Sequence, residues 1–510
     1  MDQYRATSLG SLLLAASCAI STDSIAAAPQ TLRASNAHEL VNAMIIADRS
    51  RQPAVIRLAP GHYAFDRVFS SPYGASALPP VTTQIEIIGH GADFEVLDAS
   101  AVAARFFTIF RAGSLSLTGV TLKFGSSICS ASKCSTQGGG AAQNVGGILQ
   151  FHDCLLTENV AREENGSELT LGGAVLNLDG DLLIERTSII SNGVIGYGGG
   201  VAVTGGKLTM RNSVVSRNVI GPPVVGKGAF LLGVGLYATD NTHVSISNST
   251  ISGNFASADE DQESFVFGAG IWNAGTLSLV SSAVTQNINL ELPPSEHQSA
   301  PGDGGGIFNS GVLTVQNSTI GSNTTGTRGG GLFNSGRAEL HGATITDNVV
   351  LGANGNPVSG NSWPPDCSIE HQELCIHGGS GIWNEPTATL TVADTVISAN
   401  NGEDCNGTLA TKGRNALETG SACKVKPSAY LGGRPANDLL NIDVRLGDLQ
   451  DNALAGNPHY APRADSPLID AGGSVDTNCT ALDQLGHHRS AQAGHTGINI
   501  CDIGAIEFQP

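Results

Sequence analysis

Apolar and polar residues alternate along this chain in short runs, each punctuated by glycine. The stretch 304–323, GGGIFNSGVLTVQNSTIGSN, states the pattern: Ile307 and Asn309 fall on one side of a strand with Phe308 on the other, Leu313 and Val315 continue the alternation, and Asn323 closes the unit. Period-two alternation over such short runs predicts narrow strands with one face buried.

The unit recurs. Glycine-rich triplets begin at 138, 172, 198, 233, 268, 304, 329 and 379, and an asparagine closes each unit at Asn159, Asn192, Asn218, Asn254, Asn287, Asn323, Asn348 and Asn400. A second, partial column is Asn177, Asn273, Asn309, Asn334 and Asn384. Amides stacked at equivalent turns can hydrogen-bond along the stack, which satisfies polar groups pointing into its corners. Period, glycines and asparagines together predict an all-β fold, a single-stranded right-handed parallel β-helix. Triplet spacing runs from 25 residues (304 to 329) to 50 (329 to 379). The variation falls between the closing asparagine and the next glycine: 5 residues after Asn192 and Asn323, 30 after Asn348. Insertions at one register emerge on one face, which is a candidate binding face.

Ahead of the array, Leu40, Val41, Met44 and Ile45 have helical spacing behind Asn36, so a short capping helix over 36–48 is expected to open the mature chain. Irregular opening rungs follow. After Asn400 the repeat fades into a glycine-punctuated C-terminal cap. The resulting division is 1–26 signal peptide, 27–135 N-terminal cap and opening rungs, 136–402 regular repeats, and 403–510 final rungs and cap.

The signal peptide rests on Arg5 before the apolar run Leu9 to Ile20, with Ser24 and Ala26 giving a small-residue cleavage pattern before Ala27. Cys18 offers a lipoprotein alternative, although Leu14 stands one place too far from it for the usual lipobox. No later apolar run is long enough to span a bilayer. Export permits disulfides, and eight of the ten cysteines fall into sequence-close pairs: Cys129 with Cys134, Cys367 with Cys375, Cys405 with Cys423, Cys479 with Cys501. Cys154 reads as a small core residue. A net charge of −19 excludes nucleic acid as a partner, since that binding depends on neutralising phosphates.

The C-terminal wording, Ser466-Pro467-Leu468-Ile469-Asp470-Ala471-Gly472, then Asp483-Gln484-Leu485-Gly486, then Cys501 to Phe508, resembles the ending of the bacterial choice-of-anchor Q family of secreted β-helix proteins, often found with a CSLREA segment. GGGIFNSG, NSTI and Ile87-Ile88-Gly89-His90-Gly91-Ala92-Asp93 agree with it. The resemblance implies a secreted or surface protein of the pectin-lyase-like fold, and it brings no agreed catalytic residues.

Two functions are therefore weighed. One is a secreted or cell-surface binding protein engaging glycans or another surface; the other is a polysaccharide lyase, or less plausibly a glycoside hydrolase, acting on uronate polymers. A hydrolase needs carboxylates roughly 5–10 Å apart, and the sequence contains no Asp-Asp pair. Gly89-His90-Gly91 looks like a catalytic GHG but reads as a turn in an opening rung. A lyase needs a cation and a base. Lys227, Arg328 and His377, with Asp303, precede glycine triplets and could serve, the plainer reading being solvated loop charges. Asp259, Glu260, Asp261 and Glu263 could hold calcium, though such runs are usually solvated; no other cofactor is expected. The outward slot of five successive rungs is aromatic: Tyr237, Trp272, Phe308, Phe333 and Trp383. These rings could stack on sugars, or form a structural ladder covered by the inserted loops.

Overall fold

The computed structural model describes residues 28–129, 136–164, 168–221, 229–256, 264–289, 302–351, 378–418, 423–427, 437–451, 456, 458–473, 479–489 and 500–509. Through these the chain winds as a right-handed parallel β-helix. A single coil shows why. Gly304 takes the left-handed conformation at φ 70°, and a Cβ there would lie 2.6 Å from the Ile307 carbonyl oxygen. At Gly306 a Cβ would meet the Gly331 carbonyl oxygen of the next coil, also at 2.6 Å. The first glycine makes the corner and the last admits the neighbouring backbone.

Strands Ile307–Asn309, Val312–Gln316, Thr319–Gly321 and Thr324–Thr325 follow. Asn317 (φ 45°) and Ser322 (φ 54°) supply two further left-handed corners. Each strand pairs in parallel with its counterpart one coil on: Ile307 with Leu332, Val312 with Arg337, Thr319 with Thr344, Thr324 with Val349. The first triplet is displaced from its expected place. Gly139 (φ 65°), not Gly138, takes the left-handed position that Gly172 and Gly198 occupy later.

Inward residues satisfy their polar groups along the stack. Ile307, Leu313, Val315 and Ile320 are fully buried in a column of apolar side chains that reaches from Ala34 to Cys423. Asn323 Oδ1 accepts from the backbone N–H and the Nδ2 of Asn287 (3.1 and 3.0 Å), and its own Nδ2 donates to Asn348 Oδ1 at 3.0 Å. The same bond runs from Asn159 to Asn400, whose Nδ2 donates to the Asp404 carboxylate at 3.0 Å. The second column has one more member than expected, Asn144, which donates to Asn177 at 2.7 Å. A third ladder has no counterpart in the sequence reading. The hydroxyls of Thr187, Ser213, Ser249, Ser282 and Ser318 each accept a backbone N–H from the preceding coil at 3.1–3.2 Å. It resumes at Thr395 and Asn415, ending on Asp438.

Helix Ala37–Ser50 is capped by Asn36, whose side chain accepts from Glu39 N–H at 2.9 Å, and it buries Leu40, Val41 and Met44 against the first coil. The helix does not open the chain, however. Strand Gln30–Ala34 precedes it and pairs with Ala54–Leu58. Gly89-His90-Gly91 forms a turn, with Gly91 at φ 144° and Glu95 accepting His90 N–H at 2.8 Å. Cys405 is bonded to Cys423 and Cys479 to Cys501. Cys129 is disulfide-bonded as well; Cys134, Cys367 and Cys375 lie outside the described residues. Cys154 is free, and burial pushes its thiol up to about 12. Among the described residues no helix is long and apolar enough to cross a membrane.

The C-terminal cap reaches well beyond the end of the stack. It folds back as a strap along the outer face of the sheet that contains Thr319–Gly321. Gly456 N–H donates to Thr250, Gln484 accepts from Thr319, Asn317 donates to Thr480 and Leu482, and Ala505 N–H donates to Thr344, all at 2.7–2.9 Å. The outer residues beneath it, Ala283, Thr285, Thr319, Thr344 and Thr346, are small and buried. Gly321 leaves room for the ring of Tyr460, which a Cβ would approach to 2.7 Å. The distinctive ending braces the strap internally. Asp483 accepts from the N–H groups of Leu485, His487 and Glu507, Asp502 from those of Asp470 and Phe508, and Arg489 donates to Gly504 O at 2.6 Å.

Two outcomes follow from this arrangement. Asn287→Ala removes the acceptor of two buried donors of Asn254 and should cost about 2–4 kcal/mol, read as a lowered midpoint in thermal or denaturant unfolding. In the strap, burial and the nearby Asp502 push the Glu507 carboxyl up from 4.5 to about 8. The folded strap thus holds a proton that the unfolded chain releases, and stability falls as pH rises from about 4.5 to about 8. Opening free energies across 479–489 and 500–509, taken from amide exchange after correction for the base-catalysed intrinsic rate, should be lower at pH 9 than at pH 5, and Glu507→Gln should remove most of that difference.

Candidate functional site on the insertion side

The outward residues of the I-x-N strands form one continuous column. Tyr237, Trp272, Phe308, Phe333 and Trp383 are successive register partners, facing away from the core that holds the neighbouring Ile271, Ile307 and Ile382. Ring centroids are 4.9 Å apart for Tyr237 and Trp272 (19° between planes), 6.4 Å for Trp272 and Phe308 (9°), and 4.8 Å for Phe308 and Phe333 (11°). Tyr197 extends the stack on the other side of Tyr237, at 5.0 Å. Neighbouring strands lie about 4.8 Å apart, close to the thickness of stacked rings, so the ring faces are turned toward one another. Exposure falls to 9% at Tyr237, 8% at Trp383 and 4% at Phe333. Burial, with lesser contributions from Tyr197 and Asp240, pushes the Tyr237 hydroxyl up to about 12. The column accordingly presents ring edges rather than an open stacking platform, and Trp272 and Phe308 are its partly exposed members.

The charged candidates converge on the same column. Asp303 and Arg328 are bridge partners on consecutive coils, and the next partner is Gly378. Arg328 donates through Nε and Nη2 to the two oxygens of Asp303 (3.0 and 2.6 Å) and through Nη1 to Glu385 Oε1 (3.1 Å). Its guanidinium lies 4.9 Å from the ring centroid of Phe333 and 5.4 Å from that of Trp383. Glu385 Oε1 also accepts the Trp383 indole N–H at 3.1 Å, and Thr327 donates to Asp303 at 2.8 Å. These are not solvated loop charges: the side chains of Asp303 and Arg328 are only 3% and 12% exposed. Nor does the arrangement suit a lyase base, because a guanidinium engaged by two carboxylates is poorly placed to take a proton.

The sequence reading missed a second set of aromatics. Strands Thr170–Leu171, Gly196–Tyr197, Ala229–Leu232 and Ser264–Phe267, all from the variable spacers, form a four-stranded sheet of their own. Its inward residues Leu231 and Val266 join Ala161, Val194 and Ile220 in a separate small core. On its outer side Phe230 stacks on Phe265 at 5.2 Å and lies 6.0 Å from Phe267, which meets Phe308 edge-on at 5.4 Å. Phe230 is 53% exposed. The alternation in Phe230-Leu231-Leu232 and Phe265-Val266-Phe267 was the available signal.

Lys227 and His377, and the acidic run Asp259, Glu260, Asp261 and Glu263, lie outside the described residues. Register equivalence with Arg328 belongs to Gly378, one position after His377. Among the described residues no cluster of three or more His, Cys, Asp or Glu side chains suits a metal ion.

Fold and column together define a β-helix with an aromatic, insertion-bearing side. No family model matches the sequence, and no curated protein matches it. Among solved structures, that of the pectate lyase Pel9A aligns over 94% of this chain and 97% of its own, with 12% identity and a TM-score of 0.40.

The ion network predicts a specific pattern of coupling. Arg328→Met strands the buried Asp303 carboxylate and should destabilise by about 3–5 kcal/mol. Adding Asp303→Asn should recover at least half of that loss in a double-mutant cycle of unfolding midpoints.

Proposed function

We propose that this chain is an exported β-helix binding protein, of the secreted or surface kind its ending resembles, and that it engages a glycan through the insertion side. The carrying observation is the exposed Phe230, stacked on Phe265 and continuous through Phe267 with the partly open edges of Phe308 and Trp272. Aromatic side chains left at a surface as a group favour contact with a partner of matching apolar character, and the C–H faces of sugar rings provide it. Among the described residues Phe230 begins its stack, with no further aromatic on its second ring face. Export is supported by the leader pattern of residues 1–26 and by disulfides of the kind that persist outside reducing compartments. The strap covers the sheet of Thr319–Gly321, which leaves the insertion side as the place where coils differ from one another.

The test uses the chain from Ala27 onward against a panel of neutral and uronate polysaccharides. Phe230→Ala with Phe265→Ala should weaken glycan binding about tenfold while the melting midpoint stays close to that of the parent. Sustained release of unsaturated uronate, followed by its ultraviolet absorbance, would replace the binding reading with a lyase.

A further inference from the structure

Resting on the glycan reading above, we infer that the insertion-side strip takes an uncharged saccharide and rejects polyuronates. Among the described residues the charges set against the aromatic column are Asp240, which acts on the Tyr237 hydroxyl, Asp303, Glu385 and Arg328. Arg328 is the one cation of this group, and it is already engaged. Asp303 and Glu385 take its N–H donors, and Phe333 and Trp383 lie against its plane. A uronate brought to the strip would find no uncommitted positive charge in this set and would face a carboxylate excess of two.

Glu385 turns that excess toward a ligand. Its Oε1 holds Arg328 and the Trp383 indole, while the side chain remains 26% exposed beside the column. A carboxylate so placed accepts charge-assisted hydrogen bonds from sugar hydroxyls, which are donors, and repels a sugar carboxylate, which is not. The field of the whole chain, at net charge −19, has the same sign and lowers the encounter rate of polyanions further. Apolar ring edges and acceptor oxygens, with no spare cation in the described set, together describe a surface for a polyol.

Homogalacturonan tests this directly, because methyl esterification removes its charge and keeps its backbone. The full mature chain is titrated with the esterified form, the de-esterified form and a neutral β-glucan. At low salt an uncharged polymer should bind at least about tenfold more tightly than the de-esterified one, and the gap should narrow as salt screens the repulsion. Glu385→Gln should narrow it too, by strengthening binding of the de-esterified form. De-esterified polymer binding as tightly as either uncharged one overturns the inference and leaves glycan binding in place. Binding of none of the three overturns the glycan reading itself.

Discussion

Everything in this molecule depends on keeping the inner corners of the coil dry without leaving backbone groups unpaired. A chain that turns inward at every coil points polar groups into its own core, and an unpaired buried donor costs about 1–3 kcal/mol. Asparagine resolves the conflict because one side chain carries both a donor and an acceptor. Each amide is bonded to the amides before and after it, and the apolar column can then close around Ile307, Leu313 and Val315 without a gap. The glycine triplets, the left-handed corners and the unshifted register all serve this one arrangement.

Because the inner wall is so constrained, variation is confined to what lies outside it. One flank, built of Thr, Ala and Gly side chains, is closed by the returning strap. The other carries spacers of uneven length, a four-stranded sheet with its own small core, and the aromatic column. Arg328 ties these parts together. It links Asp303 at the foot of an insertion to Glu385 and to the ring faces of Phe333 and Trp383, so the charges on this side organise the aromatics.

What the sequence disclosed follows the same division. Features repeated in every coil were legible: the strands, the two asparagine columns, and the outward direction of Phe308, which period-two alternation alone decides. The hydroxyl ladder through Ser213, Ser249 and Ser282 escaped notice because serine beside a turn asparagine reads as ordinary loop polarity. The closure of ring faces was implicit, since identical positions on successive strands sit one ring thickness apart, but alternation reports direction and not spacing. Phe230 and Phe265 lie in spacers with no repeat to align them. The strap could not be read from local pattern at all, because Thr250 and Gly456, or Thr344 and Ala505, meet across long stretches of chain. Its one trace is the change from Leu155, Ile190 and Val214 to Ala283, Thr319 and Gly321 on the outer face of a single sheet.

The ladders also have a direction. In the main column each asparagine side-chain oxygen accepts only from the N-terminal coil, while its Nδ2 donates one hydrogen to the C-terminal amide and the other back to a backbone carbonyl of the preceding coil. This column and the hydroxyl ladder each finish on an aspartate, Asp404 or Asp438, which only accepts. The aligned amide dipoles place their positive end against an anion, much as a helix terminus favours an opposite charge. The two ends of the stack are therefore not equivalent. Losing coils from the N-terminal side leaves the first amide with an idle oxygen and one unpaired N–H, whereas losing them from the C-terminal side strands two donors, a backbone N–H and an Nδ2 hydrogen. Such a solenoid can be shortened or lengthened between generations more cheaply at its head than at its carboxylate-sealed tail.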